Sequence, residues 1–259
     1  MKIIDTHCHL NVDDFIDKEQ YIKEALENNV SAIFNNGDSF ESLSEIIKLK
    51  REFPDFCHAV LGIHPEYANK GDDYLFQSLK YIEEHLSEID AIGEIGLDYH
   101  YDKSEETKKN QEKYFREQIR FAKKHNLPIV IHSRDASYDT YKIVVEENIK
   151  KIDLHCYSSS LEIAEEYLRY SDQVYFGIGG VITFKNAKTL VSVVSNISLD
   201  HLLTETDSPY LAPVPHRGEK NESKYLPLII KKISEIKMMN QDEASNILYN
   251  NAKRFYNVR

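Results

Sequence analysis

IIDTHCHL, residues 3–10, decides the architecture: a short β-branched run stops at a His-x-His pair. Side chains alternate along an extended strand, so His7 and His9 project from one face and can grip one cation while Cys8 points away. Four further apolar runs end in the same manner. Glu94 stands in AIGEIGLD (91–98), His132 in PIVIHSR (128–134), His155 in IDLHCYS (152–158) and Asp207 in HLLTETDSP (201–209). Together these are four imidazoles and two carboxylates, the donor set of a two-metal hydrolytic centre.

Outward from these runs the chain alternates strands and helices. Strands are expected at 3–5, 32–35, 59–62, 91–94, 129–132, 152–155, 174–177 and 202–206. Helical periodicity fills 19–28, 40–52, 74–86, 107–125, 136–147, 161–170 and 186–194, with 225–238 and 241–256 completing an outer layer. Eight such units joined by right-handed crossovers close into a (β/α)₈ TIM barrel of the α/β class. The carboxyl ends of its strands share one mouth, so donors spread over two hundred positions meet in space. Any one of these histidines alone would read as an ordinary core residue.

Composition agrees with this reading. At 259 residues and 41% hydrophobic content, residues 1–259 are expected to form a single barrel domain. Cys8, Cys57 and Cys156 lack a C-x-x-C spacing and cannot all pair, which favours a reduced, cytoplasmic setting. The opening MKIIDTHCHL turns polar too soon for a signal peptide, and no apolar run is long enough to span a membrane. A formal charge of −11 excludes a general electrostatic embrace of nucleic acid, so a polyanion must be held locally. Arg134, Arg217 and Lys220 are the nearby cations, and bound metal would reverse the sign of the mouth.

Several ordered motifs carry a family resemblance. DTHCHL (5–10), LGIHPEYA (61–68), GEIGLDYH (93–100), LPIVIHSRDA (127–136), LHCYSS (154–159), FGIGGVITF (176–184), TETDSPYLAPVPHRG (204–218) and NAKRFY (251–256) span nearly the whole chain. The sequence resembles the TatD family of metal-dependent deoxyribonucleases, among the amidohydrolase-like barrels. That resemblance implies a TIM barrel, divalent metal, hydrolysis of DNA phosphodiesters, and ligand roles for His7, His9, Glu94, His132, His155 and Asp207. The chain departs from the family pattern at Ser159, and at Lys220 and Ser223 around Asn221 and Glu222.

Charge and reach suggest roles. Two nearby cations repel, so an anion between them is favourable; Glu94 is the candidate, no lysine standing at an inner strand end. His7, His9 and Asp207 then hold one ion, and His132 and His155 the other. Asp207 is both ligand and proton shuttle for the attacking water. His64, at the end of the third strand, either contacts the scissile phosphate or protonates the leaving oxygen, or orients its loop. Arg134 and Arg217 are candidates for paired contacts with phosphate, and Tyr99, with Tyr101, for stacking a terminal base.

The ligand types suit two divalent ions, Zn²⁺, Mn²⁺ or Mg²⁺. The leading expectation is a 3′–5′ exonuclease-like DNase acting on single-stranded or frayed ends, because a recessed mouth admits an end more readily than a duplex. A metallohydrolase of an ester, lactone or amide, such as a D-aminoacyl-tRNA deacylase, is the alternative, and a scaffold without turnover is a third. No obligate protein partner and no membrane association are expected.

Overall fold

Each expected apolar run forms a strand, and each strand pairs in parallel with the next in sequence. The computed structural model describes residues 2–258. Its strands are β1 (Ile3–Cys8), β2 (Val30–Asn36), β3 (Cys57–Leu61), β4 (Ala91–Asp98), β5 (Ile129–Arg134), β6 (Ile152–Leu154), β7 (Val174–Ile178) and β8 (Leu202–Thr204), hydrogen-bonded in the order β1 to β8. The ring closes between the last strand and the first. Thr6 Oγ1 donates to the Thr204 carbonyl at 3.1 Å, Asp207 N to the His7 carbonyl at 2.9 Å and His9 N to the Ser208 carbonyl at 2.8 Å.

Helices follow the strands on the outside: α1 (Lys18–Glu27), α2 (Phe40–Glu52), α3 (Asp72–Glu84), α4 (Glu105–Lys124), α5 (Ser137–Glu147), α6 (Leu161–Tyr170), α7 (Lys188–Asn196), α8 (Leu226–Lys237) and α9 (Gln241–Tyr256). Side-chain caps from Asp17, Ser104, Ser160 and Asn240 accept otherwise orphaned backbone N–H groups at four of their N-termini. No helix among the described residues is long and apolar enough to cross a membrane.

Two apolar layers result. The larger packs the helices against the outside of the barrel. The smaller lies inside it, taking Ile4, Phe34, Val60, Ala91, Val130, Tyr175 and Leu203 from seven strands. α9 seals that layer from the amino-terminal side through Phe255 and Tyr256, whose ring stacks on Phe34 at 3.5 Å. One end is therefore plugged with hydrocarbon. The other is left for polar chemistry, and both bulged strands deliver donors there.

In β4 the pairing steps from Ile92↔Ile129 to Ile95↔Ile131, one residue more on β4 than on β5. In β1 it steps from Asp5↔Ile33 to Cys8↔Asn35, again one residue more. Such bulges bend a strand and re-aim a side chain. Glu94 lies within the first and His7 within the second.

Candidate metal centre

The six expected donors converge. Glu94 Oε2 lies 3.4 Å from His7 Nε2 and 3.7 Å from His9 Nε2. Its other oxygen, Oε1, lies 2.8 Å from His132 Nδ1 and 3.5 Å from His155 Nε2. Asp207 Oδ1 is 3.5 Å from His9 Nε2, 3.8 Å from His155 Nε2 and 3.9 Å from His7 Nε2. Asp207 thus approaches His155 as closely as it does the His-x-His pair, a less clean partition than the sequence suggested.

These separations test whether a cation fits. Apart from the His132–Glu94 contact, they are too long for strong hydrogen bonds. Ligands bound at ~2.1 Å to a shared ion sit roughly 3–3.5 Å from one another, so most of the spacings lie near that range. His7 Nε2 and His9 Nε2 are 3.2 Å apart, with two ring nitrogens aimed at one point. The residues fit divalent metal.

Neighbouring atoms orient the rings. His9 Nδ1 donates to the Asn36 carbonyl at 3.0 Å, which turns the Nε2 lone pair to the mouth. His155 Nδ1 lies 3.2 Å from Glu205 Oε1, an oxygen that also accepts from Cys156 N at 2.6 Å. His132 Nε2 is 3.1 Å from Asp98 Oδ2. Gly96, at φ 148°, is required because a Cβ there would overlap the His132 carbonyl oxygen.

Electrostatics separates the imidazoles. Burial, helped by the stacked His155 ring, lowers His7 to about 4. Burial also opposes charge on His155, but Glu205 and Glu94 outweigh it and raise its pKa to about 10. The Glu94 carboxyl is buried, yet His155 and His7 hold it well below its ordinary value; Asp207 is likewise depressed, burial being outweighed by His9 and His155. Both carboxylates are therefore ionised and acceptors only.

The mouth is a cavity of about 580 Å³ whose lining includes His9, His64, Glu94, His132, His155 and Asp207. His64 stands beside the donors, its Nε2 3.9 Å from Glu94 Oε1, at the start of the 3₁₀ turn Pro65–Lys70 and three residues beyond the end of β3. Arg134 also lines the cavity and is the one arginine or lysine among the described lining residues.

Two residues expected to contact substrate, Tyr99 and Arg217, are not among the residues lining the mouth. Tyr99 is only 5% exposed and packs into the outer core, so it has no face free for a base; Tyr101, 72% exposed, and Tyr210, 55% exposed, are the aromatics lining the mouth. Arg134 Nη1 donates to the Tyr101 hydroxyl at 3.3 Å. Arg217 is outside the cavity lining, its guanidinium 4.6 Å over the Phe184 ring. Ser223, where the chain departs from the family pattern, is fully buried and donates to Asp5 below the rim.

Sequence reasoning missed Asp98, Glu205, Asp38 and Glu66. Asp98 follows Glu94 by four residues on β4, and Glu205 precedes Asp207 by two just past β8; these even spacings from an expected donor are the signal in the sequence that marks them.

Residues 4–257 match the family model described as TatD related DNase. The chain is 38% identical over 259 residues to the uncharacterized metal-dependent hydrolase YabD of Bacillus subtilis, with 99% of each chain covered. It is 34% identical over 270 residues to the uncharacterized metal-dependent hydrolase BU355 of Buchnera aphidicola, with 100% of each covered. Among solved structures, the TatD homolog YjjV of Escherichia coli superposes with a TM-score of 0.91 at 28% identity, covering 99% of this chain and 98% of that one. A TatD family hydrolase from Entamoeba histolytica, at 23% identity and TM-score 0.86 over 99% of this chain and 98% of that one, shares the fold. Matched along nearly its whole length, the chain belongs to the TatD-related DNase family of metal-dependent hydrolases.

Proposed function

We propose that the protein is a divalent-metal-dependent DNase that removes nucleotides, 3′ to 5′, from single-stranded or frayed ends. The observation that carries this reading is Glu94, one carboxylate whose two oxygens face two separate histidine pairs. His7, His9 and Asp207 would hold one cation and His132 and His155 a second, with Glu94 available to both sets. Bound there, Zn²⁺, Mn²⁺ or Mg²⁺ supplies a water of lowered pKa and draws charge from the non-bridging oxygens of the phosphodiester.

The chain's own residues do the rest. Asp207, ionised and at the mouth, accepts the proton of the attacking water. His64 acts as a neutral donor: burial and the nearby His132 lower its pKa to about 3, and its Nδ1 accepts from Glu66 N at 3.3 Å. That leaves Nε2–H for a phosphoryl oxygen and removes the option of an imidazolium protonating the leaving group at neutral pH. Arg134 pairs with a phosphate through its planar fork. A recessed cavity of about 580 Å³ holds a nucleotide-sized group and excludes an unbroken duplex, which supports end-directed cleavage.

The test is turnover by protein stripped with chelator and reloaded ion by ion, offered labelled single-stranded DNA, duplex DNA, RNA and a carboxylic ester. A ladder from the 3′ end, absent with Glu94→Ala, is expected. Hydrolysis of the ester alone, or a ladder that persists in the variant, rejects the reading.

A further inference from the structure

A second hollow of about 160 Å³ opens beside the metal mouth, where the connections leaving β6 and β7 meet. The two spaces share Cys156, Ser158 and Val181, so a ligand at the donors can extend into the hollow. Tyr157 and Leu190, both buried, form apolar walls, whereas Asn186 and Thr189, both exposed, put polar atoms at its edge. Pockets for whole ligands run roughly 300–1,000 Å³, so this one takes part of a larger molecule. An apolar body rimmed by donors and acceptors is the chemistry it accepts.

Charge around the mouth is lopsided. Asp38, Glu66 and Asp98 stand on the arc from β2 to β4, and Arg134 stands at the end of β5, next to the hollow's side. A polyanion is repelled from the first arc and held on the second. The path left for a strand therefore runs over the hollow.

We propose that this hollow is the subsite for the base of a nucleotide flanking the scissile phosphate, with Arg134 holding the phosphate on the same side. The proposal rests on the phosphodiesterase reading above. The base lies against Tyr157 and Leu190 with its exocyclic atoms toward Asn186 and Thr189. Asn186 offers both a donor and an acceptor, so the site takes any of the bases with weak preference.

Single abasic residues placed on either side of the cleaved bond test this in the unmodified, metal-loaded protein. kcat/KM is expected to fall about tenfold or more for one of the two positions only. Thr189→Phe, which fills the hollow, is expected to erase the difference between the normal and abasic substrates. A 2-aminopurine at the sensitive position is expected to change fluorescence on binding to the unmodified protein and to stay silent with the variant. If the unmodified protein cleaves normal and abasic DNA alike at both positions, or Thr189→Phe discriminates as before, the subsite is rejected while the DNase reading stands. If it cleaves no DNA at all, both fall together.

Discussion

His132 is held between two carboxylates, with Nδ1 2.8 Å from Glu94 Oε1 and Nε2 3.1 Å from Asp98 Oδ2. Burial opposes its charge, but the Asp98 and Glu94 bonds outweigh it and raise the pKa to about 9. A cation that takes Nδ1 must displace that proton, while Asp98 retains the one on Nε2 and keeps the ring in place.

Asp98→Ala should therefore weaken metal binding by about 10–100-fold without unfolding the barrel. Calorimetric titration of the chelated protein with Mn²⁺ or Zn²⁺ measures this directly. An unchanged affinity would show that Asp98 does not position the ring.

Tyr101 and Tyr99 separate affinity from stability. Tyr101→Ala trims an exposed ring that accepts from Arg134, so DNA affinity should drop by about five- to tenfold while the melting temperature holds. Tyr99→Ala empties a core site and should cost about 3–5 kcal/mol of stability. Fluorescence anisotropy with a labelled oligonucleotide, beside thermal melts, distinguishes the two. The reverse pattern would put Tyr99 at the substrate.

A positioned donor to a phosphoryl oxygen is worth roughly 10²–10³ in kcat. His64→Ala should lose about that much while its metal content is unchanged. Because burial holds His64 near 3, its removal should delete no limb between pH 6 and 8 from the rate profile. Retained kcat, or a lost limb near neutrality, contradicts the neutral-donor role.

Buried parallel strands are continuous apolar runs, which is why all eight were legible. The helices Phe40–Glu52, Leu161–Tyr170 and Gln241–Tyr256 fall at the expected bounds, each opening just after a Ser or Asn at its N-cap. His7 and His9 were readable because strand alternation is local. Glu94 does come together with the other expected donors, but it is not a strand end: β4 runs on through Gly96, Leu97 and Asp98, which pair with His132, Ser133 and Arg134. A bulge depends on the neighbouring strand, and nothing local to residues 91–94 announces it. Tyr99 is turned into the core for a related reason, since the facing of a residue at the start of a loop is set by packing rather than by period.

Far from the mouth, Asp90 supplies a pH-dependent lock. Its Oδ2 accepts from Lys50 Nζ at 2.6 Å and Ala59 N at 3.1 Å and lies 3.2 Å from His58 Nδ1, tying α2 and β3 to the start of β4. Burial disfavours its charge, but His58 and Lys50 prevail and the pKa falls below its ordinary 3.8. The native state then binds this proton more weakly than the unfolded chain does. The stabilisation is fully present above about pH 4 and disappears as pH falls through the depressed native value. Asp90→Asn should cost about 1–3 kcal/mol at pH 7, and the gap from the unmodified protein should close in strongly acidic buffer. Urea unfolding of both proteins across that range measures it; a gap independent of pH means the carboxylate charge contributes nothing.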